Sequence, residues 1–229
     1  VIGSGSSLAI SNATLNDAGT YSCSVSDGVK SASCTAFTLT VNDSVKITQQ
    51  PVSTTLYEGG STTFSVTATS SLPMTYSWTK NGTVVGTSRT LTISSAKLSD
   101  AGTYSCTVSD STKTVSCNSF TLTVNAIVRI TQQPVSQMLN EGASASMSVT
   151  ATGAAPISYQ WYYNGAAISG ATSSSLSIAA TKVADSGNYH VVVKNLGSSA
   201  TSSTATLSIA AVVKTGSAMI SWQAPTQRA

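Results

Sequence analysis

Charge is what this chain has least of. Acidic and basic residues make up only 8% of its 229 residues, against roughly 25% in an ordinary soluble domain. The 11 Lys and Arg stand singly, with no run or stripe that would track a phosphate backbone, so nucleic acid is not an expected partner. With one histidine, His190, and scattered acids, no metal-ligand cluster stands out. Neither a Gly-rich phosphate loop nor a pair of carboxylates appears. No cofactor is expected, no metal, and no catalytic residue; the chain does not read as an enzyme. No apolar run approaches about 18 residues, so no membrane insertion is expected in this segment. An initiator Met and a signal-peptide pattern are both missing, so the chain reads as processed or as a piece of something longer.

Hydroxyls stand in for the missing charges. There are 43 Ser and 34 Thr, about a third of the chain, and Thr packs well on a pleated surface. The sequence also repeats itself. Ile47-Thr-Gln-Gln-Pro51-Val-Ser53 returns as Ile130-Thr-Gln-Gln-Pro134-Val-Ser136, an offset of 83. At the same offset Asp17-Ala-Gly-Thr-Tyr21-Ser-Cys23 returns as Asp100-Ala-Gly-Thr-Tyr104-Ser-Cys106, Glu58-Gly59 as Glu141-Gly142, and Trp78 as Trp161. After a two-residue insertion Asp100 to Tyr104 returns as Asp185-Ser-Gly-Asn-Tyr189. Such a period is too long for a helical solenoid and suits one small sandwich.

Within a repeat, apolar residues alternate with polar ones: Phe64, Val66, Ala68; Tyr76, Trp78; Leu91, Ile93; Tyr104, Cys106, Val108; Phe120, Leu122, Val124. A period of two marks strands with one buried face. Turn signals separate them at Glu58-Gly59-Gly60, Lys80-Asn81-Gly82 and Asp110-Ser111. The class is all-β.

A Trp on one strand, followed by a later strand opening with Asp-x-Gly-x-Tyr, resembles the core Trp of strand C and the tyrosine corner before strand F of the immunoglobulin fold. The corner occurs three times, as Asp17, Gly19, Tyr21; Asp100, Gly102, Tyr104; and Asp185, Gly187, Tyr189. The phrases Ile-Thr-Gln-Gln-Pro-Val-Ser, Tyr-Gln-Trp-Tyr-Tyr-Asn-Gly and Gly-Ala-Thr-Ser-Ser-Ser-Leu-Ser-Ile resemble bacterial immunoglobulin-like repeats of large surface and secreted proteins. The resemblance covers residues 1 to about 210 and implies tandem Greek-key sandwiches. Val1-Ile2-Gly3 aligns with Val84-Val85-Gly86, so residues 1–42 read as the C-terminal half of a domain. Residues 43–125 and 126–210 read as complete domains. Ser217 to Pro225, around Trp222, resembles the opening of a fibronectin type III domain, assigned to 211–229. The chain is expected to continue in both directions, with completion of the half sandwiches by neighbouring chains as the alternative.

The cysteines form two equivalent pairs, Cys23 with Cys34 and Cys106 with Cys117, each 11 residues apart. The resemblance places the first of each pair on strand F. The usual disulfide partner on strand B is Val66 in the second repeat, which excludes the inter-sheet bond. Cys106 and Cys117 are symmetric about Ser111-Thr112, hence opposed across the F–G hairpin, within disulfide reach. Phe120, Leu122 and Val124 have the opposite parity from Cys117, so a β-bulge is expected near Asn118-Ser119, and likewise near Thr35-Ala36. A disulfide implies an oxidising compartment; a free-thiol or metal pair is the alternative. The third repeat, with Val191 and Ser202 at these positions, is expected to rely on packing alone.

Other residues draw structural readings. His190 points away from the core by alternation. Asp17, Asp100 and Asp185 recur as turn caps, and Glu58 and Glu141 open turns. Asp43 alone at a junction is too few acids for calcium. Trp78 and Trp161 read as core, and Tyr162, of opposite parity, as an exposed aromatic. Asn12, Asn42 and Asn81 head N-glycosylation patterns, and O-linked glycans on the hydroxyls are equally open. The functional expectation is an extracellular structural and adhesive module in a cell-surface stalk or filament. Its short junctions, free of Gly and Pro, favour a semi-rigid rod. The partners are neighbouring domains or subunits of the same assembly, with surface glycans as a second class. Accessory modules of a large secreted enzyme, such as a glycan hydrolase, and decoration of a phage virion are the alternatives.

Overall fold

Alternating stretches become strands wherever turn residues bound them. The computed structural model describes residues 2–212, and the fibronectin-like stretch from Ser217 to Pro225 lies outside them. The first segment holds a 3-10 turn, Leu15–Asp17, and strands β1 (Gly19–Tyr21), β2 (Ser24–Ser26), β3 (Ser31–Ser33) and β4 (Phe37–Leu39). Next come β5 (Lys46–Gln49), β6 (Thr54–Tyr57), β7 (Thr62–Ser65), β8 (Thr67–Thr69), β9 (Thr75–Lys80), β10 (Thr83–Gly86) and β11 (Thr90–Ile93). A 3-10 turn at Leu98–Asp100 leads into β12 (Gly102–Ser109), β13 (Thr114–Ser116) and β14 (Phe120–Asn125). The same series follows as β15 (Arg129–Gln132), β16 (Gln137–Asn140), β17 (Ala145–Ser148), β18 (Thr150–Thr152), β19 (Ser158–Tyr163), β20 (Ala166–Ala167) and β21 (Ser175–Ile178). After the turn Val183–Asp185 it ends with β22 (Gly187–Lys194), β23 (Ser199–Thr201) and β24 (Ala205–Ala210). The described residues are therefore all-β, with helix confined to three single 3-10 turns.

The chain divides into two units, Val1–Val124 and Asn125–Ala229, and each contains one two-sheet sandwich. In the first, one sheet runs β10-β9-β12-β14-β6, with β13 also on β12; the pairs β7–β11 and β5–β8 supply the other layer. In the second, the order β20-β19-β22-β24-β16, with β23 on β22, faces β17–β21 and β15–β18. By sequence order β9 and β19 are the C strands, β12 and β22 the F strands, and β13–β14 and β23–β24 the G strands.

The core lies where the two inner faces meet. Trp78 and Trp161 are fully buried and sit opposite Cys106 and Val191 on the F strands. Their indole N–H groups donate to the carbonyls of Ser88 and Ser173 at 2.8 and 2.9 Å, so burial leaves no unpaired donor. Truncating either to Ala removes about 3–5 kcal/mol. Around Trp78 the core is aromatic: Phe64, Tyr104 and Phe120 lie within 4.7–5.8 Å of one another by ring centroid. Around Trp161 the positions of Phe64 and Phe120 hold Met147 and Ala205, both buried. The two cores thus reach closure with different side chains on one strand order.

Two Asn-Gly turns join β9 to β10 and β19 to β20. Asn81 and Gly82 have φ of 48° and 85°, and Asn164 and Gly165 45° and 86°, the left-handed pair that a type I′ hairpin requires. Each turn docks on the start of strand F. Asn81 N–H donates to the Thr103 carbonyl at 2.8 Å and Asn81 Oδ1 accepts Thr103 N–H at 3.1 Å. Asn164 makes the same two bonds with Asn188, at 2.8 and 2.9 Å. This approach explains the glycine of Asp-x-Gly-x-Tyr. A Cβ at Gly187 would lie 2.5 Å from Tyr163 Cε2 and 2.8 Å from Asn164 Oδ1. We predict that Gly187→Ala lowers stability by about 1–3 kcal/mol through overpacking, read as an earlier urea midpoint. An unchanged midpoint would show that the turn yields at no cost.

Candidate functional site

The repeated Asp-x-Gly-x-Tyr motif opens strand F, and the cysteines lie farther along it and on the strand beside it. At its start, each aspartate of the repeated motif closes a 3-10 turn with its side chain. Asp17 Oδ2 accepts the Thr14 N–H at 2.7 Å, and Asp100 and Asp185 accept those of Lys97 and Lys182 at 2.8 Å. The tyrosine four residues on then donates its hydroxyl to the same aspartate's carbonyl, at 2.6 Å from Tyr21, 2.7 Å from Tyr104 and 2.9 Å from Tyr189. The backbone and side-chain bonds from Thr14 hold the Asp17 carboxyl below its ordinary range. Burial, helped by the Asp185 charge, pushes the Tyr189 phenol up to about 12, and burial with Asp100 raises Tyr104. The last residue of strand C reaches the same turn: Tyr163 Oη donates to the Ala184 carbonyl at 2.8 Å, and Lys80 Nζ, at the equivalent position, to that of Ser99.

Farther along strand F lie the cysteines. Cys106 and Cys117 are buried, Cys23 and Cys34 exposed, and all four are free thiols, so the expected S–S bonds are not formed in this structure. The register continues Thr107 opposite Ser116 to Cys106 opposite Cys117, and Ser24 opposite Ser33 to Cys23 opposite Cys34. Beyond the cysteine the G strand slips by one residue. β13 pairs Ser116 with Thr107, whereas β14 pairs Phe120 with Tyr104. The same slip separates β3 from β4 and β23 from β24. It lets Cys117 and Phe120 both face inward.

The expectation that the third repeat relies on packing alone is corrected by Ser202. This residue is buried, and its hydroxyl accepts the Val191 N–H at 3.0 Å and donates to the Ser203 carbonyl at 2.9 Å.

At the tip of each F–G hairpin an Asp or Asn ties the turn. Asp27 Oδ1 accepts Val29 and Lys30 N–H, and Asp110 Oδ1 accepts Thr112 and Lys113 N–H, all within 2.9 Å. Asp110 also reaches beyond its own turn. Its other oxygen accepts Val45 N–H and the Ser70 hydroxyl, both at 2.7 Å. The Thr112 and Ser70 hydroxyls foremost, with the N–H groups of Thr112 and Lys113, hold its carboxyl well below the usual range. In the next domain Asn195 donates to the Ala126 carbonyl at 3.0 Å, and Ser198 Oγ accepts Val128 N–H at 2.7 Å. The hairpin tip therefore grips the segment leading into β5 or β15. Sequence reasoning read Asp110 only as a turn residue, because its partner Val45 lies 65 residues away. The signal available was Asp or Asn at this position in all three repeats.

On the outer face, Tyr162 and His190 are directly opposed and their rings stack 4.9 Å apart, 3° from parallel. Glu141 and Glu58 lie at the turns after β16 and β6. Asn12, Asn42 and Asn81 are exposed. Asp43 pairs with Lys46 at 2.9 Å. No group of three or more metal-ligating side chains occurs among the described residues, and no helix among them is long and apolar enough to cross a membrane. The arrangement offers hydrogen-bonding faces and thiols.

Two sandwiches of one strand order, each with a buried C-strand Trp and a tied corner tyrosine, define a tandem β-sandwich protein. An immunoglobulin-domain family model matches residues 46–110 and 129–195, together more than half of the chain, and the chain belongs to that family. It is 33% identical over 174 residues to protein sidekick-2 of Gallus gallus, covering 70% of this chain and 8% of that protein. It is 27% identical over 217 residues to the human cell adhesion molecule DSCAML1, covering 84% of this chain and 10% of that one. The chain thus spans about a tenth of the length of these curated relatives. Among solved structures, the titin I-band fragment I67–I69 superposes with a TM-score of 0.60 at 24% identity, over 73% of this chain and 66% of that one. The four N-terminal immunoglobulin domains of sidekick-1 give 0.57 at 19%, over 86% and 60%. Both share the fold.

The Tyr189 shift carries a pH consequence. A phenol whose folded value lies above its ordinary value of 10 contributes stability that is complete below that value and is lost as pH rises toward about 12. Tyr189→Phe is predicted to cost about 1–2 kcal/mol at neutral pH, since a carbonyl loses its donor. It should also flatten alkaline unfolding above pH 10. Urea melts from pH 7 to 11 check both; an alkaline slope unchanged by the substitution would place the titrating group elsewhere.

Proposed function

We propose that this chain is a non-catalytic segment of an extracellular structural and adhesive protein, whose sandwiches make protein–protein contacts with neighbouring domains or subunits of the same assembly. The observation that carries this reading is the pair of immunoglobulin-family matches in tandem on a chain whose relatives include a protein named as a cell adhesion molecule. Low charge supports it, since faces rich in Ser and Thr come together with little ionic desolvation. Within this proposal residues 1–42 are the C-terminal half of one repeat, 43–125 and 126–210 are complete repeats, and 211–229 begins a fibronectin type III-like domain. The three tyrosine corners and two Trp residues are structural, and the carbohydrate class of partner is secondary. Attribution to bacterial surface arrays draws on the short phrase matches alone, whereas the relatives include a chicken and a human protein.

Two measurements test the proposal. A membrane-impermeant label applied to intact cells that make the protein should modify it, and beads coated with the 229-residue chain should bind those cells. Mild protease treatment of the cells should abolish bead binding. Protection from the label would overturn the extracellular reading. Binding that survives protease but disappears after periodate would replace protein partners with glycans.

A further inference from the structure

Each F–G hairpin closes on a side chain where a carbonyl would ordinarily serve. Directly opposed residues of a narrow antiparallel pair exchange two N–H to carbonyl bonds. Here Cys117 N–H donates to the Cys106 carbonyl at 2.7 Å, but the return bond from Cys106 N–H goes to Cys117 Sγ, at 2.9 Å. The first repeat has the same pair of bonds, at 2.9 Å from Cys34 N–H to the Cys23 carbonyl and 2.7 Å from Cys23 N–H to Cys34 Sγ. In the third, Ser202 N–H donates to the Val191 carbonyl at 2.9 Å and Val191 N–H to Ser202 Oγ at 3.0 Å. The one-residue slip in strand G explains the exchange: it removes the next residue from the ladder, and a short side chain with an acceptor atom takes the vacant place. Serine meets that demand as well as cysteine does. The requirement for an acceptor therefore does not by itself explain why two repeats also carry a cysteine on strand F, where the third carries Val191.

What the cysteine pairs add is a second sulfur on the opposed residue. Hydrogen-bonded pairs hold their Cα atoms about 5.5 Å apart, inside the range a disulfide spans. Cys106 and Cys117 face the same core and are both buried. The bond from Cys106 N–H keeps the Cys117 sulfur on the side of its partner.

We propose that Cys23 with Cys34, and Cys106 with Cys117, are redox clasps of the F–G hairpin, held by an N–H to sulfur bond when reduced and by a covalent S–S bond within the same hairpin when oxidised. The oxidant is a small-molecule disulfide of the glutathione class. The thiolate of Cys34 or Cys117, having released its proton, attacks one sulfur of the oxidant and expels the other as a thiolate, which takes that proton. The strand F cysteine, deprotonated in turn, attacks the protein sulfur of the mixed disulfide and expels the second thiolate. Two protein thiols are oxidised and one external disulfide is reduced to two thiols. The bonds from Cys23 lower the Cys34 thiol, so entry at the first repeat is through Cys34. Cys106 and Cys117 are buried where Cys23 and Cys34 are exposed, and burial pushes Cys106 up to about 12, so the second clasp forms more slowly. The proposal does not depend on what the array binds.

The test uses the whole chain. It is incubated natively with oxidised glutathione, and separately refolded in it, then alkylated, digested without reduction and analysed by mass spectrometry. The expected products are linked peptides joining 23 to 34 and 106 to 117. In the native reaction the first should form at least about tenfold faster. Closing each loop should favour the folded state by about a hundredfold, reversed by dithiothreitol. The double variant Val191→Cys with Ser202→Cys should gain a third linked pair at its own hairpin. Cys117→Ser should keep the reduced protein's urea midpoint, since the hydroxyl replaces the sulfur as acceptor, while losing the 106–117 link. Four alkylated thiols after refolding in excess oxidant, or links between repeats such as 23 to 106, would overturn the proposal. A Cys117→Ser midpoint well below that of the reduced protein would overturn the acceptor role.

Discussion

The hydroxyl of the corner tyrosine donates to the carbonyl of the aspartate four residues earlier, and much of each sandwich is aligned by that bond. It ties the end of a 3-10 turn to the third residue of the F strand, so the strand starts at one residue and no other. Strand F is central in its sheet, with C on one side and G on the other. A shift of its start by one residue would send Tyr104, Cys106 and Val108 to solvent and their polar neighbours inward. Trp78 would then lose Cys106 as its cross-strand partner. The Asn-Gly turn and the corner glycine serve the same alignment from the other side: the turn hydrogen-bonds to the residue after the glycine, and only a residue without Cβ lets it come that close.

The alternation along single strands was the most legible part of the sequence. Tyr104, Cys106 and Val108, or Phe120, Leu122 and Val124, announce a buried face because the side-chain period of a strand is set by its own backbone. The tyrosine corner was legible for a related reason: its donor and acceptor are four residues apart, so the whole device fits in one motif. The parity conflict between Cys117 and Phe120 pointed to an irregularity, and the one-residue slip between β13 and β14 lies between them.

What escaped reading depends on partners distant in sequence or on atoms that change role. Asp110 meets Val45, and Asn195 meets Ala126, only because the fold brings the hairpin tip to the segment leading into β5 or β15. The substitution of Asn for Asp follows the partner: a carboxylate accepts from an N–H, whereas an amide can donate to a carbonyl. Ser202 looked like the loss of a cysteine, yet its hydroxyl keeps half of what the cysteine does. The short phrases that resemble bacterial repeats fall on β5, β15, β21 and β19 with its Asn-Gly turn, elements that the sandwich itself requires, so they say more about strand chemistry than about lineage.

One pairing sets these domains apart from a plain antiparallel sandwich. β16, near the start of its domain, lies beside β24, at its end, and the two run parallel, with Gln137 opposite Leu207 and Asn140 opposite Ala210. A chain pulled from both sides draws β16 back toward its beginning and β24 forward toward its end. The two strands then slide past each other along their length, and every bond of the ladder is loaded together. A hairpin pulled open from one end would yield its bonds one at a time. The placement of first and last strands side by side therefore puts the mechanical resistance of the domain into a single short patch of backbone.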